Sequence, residues 1–159
     1  MSMICCLQKA DEAQINELLA NPESIYGFIE AGAEQVELDK AWHGIHFLLT
    51  GSAWEGEEPL CYLVKGGEEI GDEDIGYGPA RALKPQQVAA WADALSAISD
   101  DVLGARFDPG GMAKAEIYPW GSEPEEDDAL EYLLEYYGIL CSFVERTKNE
   151  NKGAIVYLT

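Results

Sequence analysis

His43 and His46 stand three positions apart, so a helix that carries them presents both on one face, with Asp39 and Trp42 on the same short stretch. Two imidazoles at that spacing can share a metal when a carboxylate or a third histidine joins them. The chain has only two histidines and no H-E-x-x-H motif, so no metal site is expected. The plainer reading puts Trp42, Ile45, Phe47 and Leu48 against a core while His46 hydrogen-bonds a backbone group. A third reading makes His46 an acid-base group, because an unperturbed imidazole titrates near neutrality.

Tyr77-Gly78-Pro79-Ala80-Arg81 is the second group, and Arg81 is one of three arginines. A guanidinium close to Pro and Gly backbone can clamp a carboxylate or phosphate through two parallel hydrogen bonds. Against that stands local neutralisation by one of 30 acidic residues. Taken together, Trp42, His46, Tyr77, Arg81 and Tyr118, with Asp39 beside them, form one candidate ligand or partner site, with Arg81 holding an anion and the aromatics as walls.

The remaining motifs argue against familiar chemistries. Glu55-Gly56-Glu57-Glu58 and Glu68-Glu69-Ile70-Gly71-Asp72-Glu73-Asp74 are rich in oxygen ligands but lack the D-x-D-x-D-G alternation of a calcium loop, so solvated acidic loops are expected. No G-x-S-x-G, G-x-x-x-x-G-K-[ST] or G-x-G-x-x-G occurs, and no cofactor is expected. Cys5, Cys6, Cys61 and Cys141 have no C-x-x-C spacing and sit in apolar stretches, as buried thiols do. Cys5 or Cys6 as a nucleophile is the weaker alternative, since an apolar strand buries a thiol without activating it. Unpaired cysteines, and a start with no basic segment leading into a long apolar one, point to the cytoplasm.

Ten basic residues against 30 acidic ones give a formal charge of -20. That field repels nucleic acid phosphates and anionic lipid headgroups and hastens encounter with basic proteins. Nucleic acid and membrane partners are therefore not expected, and no run approaches the ~20 apolar residues of a membrane span. The blander consequence of the charge is solubility alone. With 47% hydrophobic and 10% aromatic residues the chain still has ample material for a core.

The elements that position these groups follow from periodicity and caps. Ile4 to Gln8 reads as a strand, and Asp11 with Gln14 as a capping box for a helix that buries Ile15, Leu18 and Leu19. Asn21-Pro22 starts another helix bearing Ile25, Phe28 and Ile29. Asp39 is expected to cap a short, mostly buried helix over Lys40 to Leu49 that closes at Thr50-Gly51. From Ser52 to Gly78 only Leu60 to Val64 and Ile75 to Tyr77 read as strands. Pro85 opens a helix with Val88, Trp91, Ala92, Leu95 and Ile98 inward. Residues 100 to 107 form a short helix that Asp108-Pro109-Gly110-Gly111 breaks, and Ile117-Tyr118-Pro119 is a strand or extended turn. The longest helix starts at Pro124 with acids in its first turn, has one apolar face from Leu130 through Leu133, Leu134, Tyr137, Leu140 and Cys141 to Val144, and ends near Arg146 and Lys148. Ala154 to Leu158 is a fully apolar strand for the middle of a sheet. The sum is an α+β fold in a single compact domain over 1–159, with a small mixed sheet and several packed helices.

Leu38-Asp39-Lys40-Ala41-Trp42-His43-Gly44-Ile45-His46-Phe47-Leu48-Leu49-Thr50-Gly51 resembles the YfbM-like bacterial family, small proteins that carry a domain of unknown function. Met3-Ile4, Tyr77-Gly78-Pro79-Ala80-Arg81 and Glu116-Ile117-Tyr118-Pro119 resemble further landmarks of that family, and together they span nearly the whole chain. The resemblance implies an α+β fold of its own type and a bacterial cytosolic setting, and it supplies no reaction and no catalytic residues. Trp42 and His46 fit its central pattern while His43 varies, so a site reading rests on His46 first. The leading expectation is a non-catalytic protein that docks a basic or polar partner, for instance as an immunity-type inhibitor. The alternative is a small-ligand binder or enzyme built around Trp42, His46, Tyr77 and Arg81; oligomeric state is left open.

Overall fold

A computed structural model of the chain describes residues 2–32, 34–120 and 126–159. Strand β1 (Cys5–Ala10) leads into α1 (Glu12–Ala20), which opens on the expected capping box: the Asp11 carboxylate accepts from Gln14 N–H, and the Gln14 side chain accepts from Asp11 N–H. A 3-10 turn (Pro22–Ser24) runs into α2 (Ile25–Ala31), then β2 (Gln35–Glu37) and α3 (Trp42–Thr50). Short strands β3 (Glu68–Glu69) and β4 (Arg81–Leu83) precede α4 (Pro85–Ser96), α5 (Asp100–Ala105), α6 (Pro109–Lys114), α7 (Glu126–Asn149) and β5 (Gly153–Leu158).

The strands form one sheet in the order β2-β1-β5-β4-β3, and each described pairing is antiparallel. The apolar β5 runs up the centre, as its composition demands, because both its faces are covered. Alternation along the strands divides the interior in two. Cys5, Leu7, Leu83 and Val156 face the larger core, made with α3, α4, α5 and α7. Cys6, Ala10, Ala82 and Ile155 face the smaller one, closed by Ile15, Leu18 and Ile25 of the first two helices. The α+β class and the several packed helices are those expected from sequence.

Three local expectations are corrected. Leu60 to Val64 is a run of turns and Ile75 to Tyr77 has no strand; the sheet instead takes β3 and β4, which are too short to show a two-residue period. The break expected at Asp108-Pro109-Gly110-Gly111 is a helix start: the Asp108 carboxylate accepts from Gly111 N–H and Pro109 occupies the first turn of α6. For Ile117-Tyr118-Pro119 the turn is the alternative found, with a cis Tyr118-Pro119 bond. Asp39 does not cap α3, whose cap position is Ala41. The Pro124-Glu125 start expected for the last helix lies outside the described residues.

Helix α7 is locked to the helical layer by a buried hydrogen bond, in which Tyr137 O–H donates to the Ile98 carbonyl at 2.7 Å beyond the end of α4. Tyr137→Phe keeps the ring and leaves that carbonyl unpaired, so urea unfolding should show a loss of about 1 kcal/mol with an unchanged denaturant slope.

Candidate functional site

Helix α3 is almost wholly interior, with Trp42, His43, Ile45 and His46 at 0% exposure. It closes as the sequence indicates, with Gly51 in the left-handed region and its N–H on the Phe47 carbonyl. Its other end differs from expectation. Asp39 has a φ of 48°, and its carboxylate accepts from Tyr132 O–H of α7 at 2.8 Å, while the same hydroxyl accepts from Lys40 N–H. A carboxylate used to hold α7 is not free to cap α3, and Ala41 stands at the cap position without a side-chain bond. Burial, and then the Asp39 carboxylate, raise the Tyr132 phenol well above its usual range.

The polar side chains of α3 are tied to neighbouring main-chain groups. Trp42 Nε1–H donates to the Met3 carbonyl at 2.8 Å, and Tyr118 O–H accepts from Met3 N–H at 2.9 Å, so both rings hold the segment before β1. His43 Nδ1 accepts from Tyr118 N–H at 2.8 Å, which leaves the ring proton on Nε2 to donate to the Ala53 carbonyl at 2.8 Å. His46 Nε2–H donates to the Glu55 carbonyl at 2.9 Å. The His46 Nδ1 is sealed from solvent without a partner, so a proton there would be a buried donor with no acceptor. Burial accordingly lowers the pKa of His43 and takes that of His46 down to about 4. A ring that is buried and neutral, with its one N–H committed to a carbonyl, is not placed to move protons at a solvent-filled site.

The two carbonyls held by the histidines belong to Ala53 and Glu55, on either side of Trp54. Pinned between them, Trp54 lies over His43 with ring centroids 4.3 Å apart and remains 55% exposed. Trp42 stacks on His43 at 5.0 Å and meets Tyr118 in a tilted contact at 6.0 Å, so the surface tryptophan continues an aromatic cluster that reaches the core. Glu55, Glu57 and Glu58 of the same loop are exposed, with Glu55 paired to Lys65 at 2.9 Å. Trp54 was not among the residues singled out from sequence. The signal was there: a lone tryptophan inside an acidic, glycine-rich stretch with no apolar period to bury it.

The structure thus groups Asp39, Trp42, His46 and Tyr118 around α3 and puts Tyr77 and Arg81 in a separate cleft at the β3–β4 edge. The charge of Arg81 is felt at His46, yet the two share no cavity among those described. Local neutralisation of Arg81 is also corrected: among the described residues no carboxylate pairs with it, and Nη1 and Nη2 donate instead to the carbonyls of Gly66 at 2.9 Å and Tyr62 at 2.7 Å. Thiol chemistry finds no support either. Burial pushes Cys5 up to about 12 and Cys6 to about 11, and it raises Cys61 and Cys141 as well, so none is a thiolate at neutral pH. Among the described residues no three His, Cys, Asp or Glu side chains converge as metal ligands would, and no helix is long and apolar enough to cross a membrane.

Comparison with known proteins gives three findings. A family model described as a domain of unknown function (DUF1877) matches residues 1–157. Protein YfbM of Escherichia coli (strain K12) is 30% identical over an alignment that covers 79% of this chain and 78% of its own length. The crystal structure of a protein of unknown function, YfbM from Escherichia coli, shares the fold with a TM-score of 0.78 at 24% identity, covering 98% of this chain and 99% of that one.

The depressed His46 pKa fixes an acid dependence. The unfolded imidazole takes up a proton near 6.5 and the folded one only near 4, so the stabilisation is complete above the first value and is lost as pH falls toward the second. That gap corresponds to about 3 kcal/mol. Urea unfolding at neutral pH and at about pH 4.5 should therefore show a smaller acid loss in His46→Gln, which cannot titrate, than in the wild type. Parallel losses in the two proteins would mean that His46 is not held neutral.

Proposed function

Taking as premise that the chain belongs to the DUF1877 family of domains of unknown function, we propose that it is a non-catalytic cytosolic protein that docks a basic partner through the acidic surface around Trp54. The observation that carries the reading is the pairing of His43 and His46 with the two carbonyls that flank Trp54. It turns the residues best suited to catalysis into fixtures of a displayed aromatic. A large, rigid, half-exposed indole backed by stacked rings is the kind of anchor around which protein interfaces concentrate their binding energy.

Charge supports the choice of partner. At -20, with Glu57 and Glu58 exposed in the same loop, encounter with a cationic surface is accelerated and polyanions are turned away. An arginine or lysine of the partner that reaches the Trp54 face gains a cation–π contact in addition to the acidic rim. Inhibition of a basic enzyme, as immunity proteins perform it, is one function that such a surface serves without chemistry of its own.

Affinity capture from the native host at low and at physiological salt tests the reading. The expected result is a basic protein whose retention falls as salt rises, and whose affinity drops by at least about 2 kcal/mol in Trp54→Ala. Recovery of nucleic acid, or of no salt-sensitive protein, would contradict it.

A further inference from the structure

In the register of the β3–β4 pair, Glu69 stands directly opposite Arg81. Opposite charges so placed ordinarily meet as a cross-strand ion pair. Here they do not. Arg81 turns inward, where Nη1 and Nη2 bond the carbonyls of Gly66 and Tyr62, while Glu69 remains exposed, and neither joins an ion pair among the described residues. The loop that receives Arg81 is held close over β4: Gly67 has a φ of 79°, and a Cβ there would meet the Ala82 carbonyl oxygen at 2.6 Å. Arg81 is therefore fixed by backbone and forms no ion pair among the described residues.

Both side chains line a cleft of about 210 Å³, together with Leu63, Val64, Tyr77 and Leu158. Two of the guanidinium's five N–H groups are taken by carbonyls, and the other three have no partner among the described residues, on a side chain that lines the cleft. A carboxylate is the natural acceptor for them. A ligand with net negative charge would, however, meet both Glu69 and the field of a chain at -20. A molecule that carries its own cation escapes that penalty and satisfies Glu69 as well. The volume lies below the ~300 Å³ at which pockets for drug-sized ligands begin, so the occupant is small.

We propose that this cleft binds the zwitterion of a small α-amino acid with an apolar side chain. Its carboxylate sits on the free donors of Arg81, its ammonium beside Glu69, and its side chain against Leu63, Val64 and Leu158. The site is independent of the Trp54 surface, so either assignment stands or falls without the other.

Titrations of the 15N-labelled protein, followed by amide chemical shifts, decide the matter. L-leucine or L-phenylalanine should shift Gly78, Arg81 and Val156 saturably. The half-analogues of leucine, 4-methylpentanoate without the ammonium and 3-methylbutylamine without the carboxylate, should each bind at least about tenfold more weakly than leucine. Glu69→Gln, at an exposed position, should weaken amino acid binding by a similar factor while the melting temperature stays unchanged, and Arg81→Gln should abolish it. The Glu69 variant keeps the test decisive even where loss of Arg81 disturbs the loop. No saturable shift with either amino acid, an equal response to the half-analogues, or undiminished binding by Glu69→Gln would each overturn the proposal.

Discussion

Two imidazole N–H groups, each aimed at a main-chain carbonyl, determine how the middle of this molecule is organised. The loop after α3 leaves the core in an acidic, glycine-rich stretch that has little apolar surface with which to fold back. His43 and His46 supply what it lacks. By donating to Ala53 and Glu55 they dock the loop on α3, satisfy two carbonyls at the edge of the core, and orient the residue between them. The arrangement works only with neutral rings, because His43 needs a lone pair on Nδ1 for Tyr118 N–H and the His46 Nδ1 faces no acceptor. Burial enforces that state, so packing, protonation and the display of Trp54 are facets of one constraint.

The same economy explains why residues that look chemical in the sequence are structural in the fold. Asp39 holds Tyr132, Trp42 and Tyr118 hold Met3, and Arg81 holds the turn from Tyr62 to Gly66. Polar side chains that reach across elements to main-chain groups are what a small domain uses to close loops that cannot close by hydrophobic contact. Lys9, nearly buried at the end of β1, acts likewise, pairing with Glu34 and Glu150 from separate parts of the chain. Most of the carboxylates remain on the surface, where the charge shapes encounters more than the fold.

The legible parts of the sequence were those in which a local pattern and the global core agree. The Asp11 and Gln14 box caps α1 as its spacing indicates, and the Val88 to Leu95 stripe of α4, the long face of α7 and the apolar β5 bury what their patterns indicate. The misread parts are those in which tertiary contacts override local signals. β4, three residues long, exists because β5 offers an edge, and β3, two residues long, because β4 offers the next; Leu60 to Val64 is apolar because it roofs Arg81 and the core, not because it pairs. The role of His46 as a donor to backbone was readable as one alternative from its setting on an apolar helix. Trp54 was not, since an exposed aromatic leaves no periodic trace, and the separation of Arg81 from Trp42 depends on strand register that no spacing reveals.

The state of the two imidazoles tests this account most directly. In a 15N NMR titration of the folded protein from about pH 8 to about pH 5, His46 is predicted to stay neutral throughout and His43 to take up a proton only below the ordinary imidazole range, each neutral ring protonated on Nε2 and bare on Nδ1. A ring that titrates near 6.5, or that carries its proton on Nδ1, would contradict it, for such a ring could not be the fixed donor on which the docked loop and its tryptophan depend.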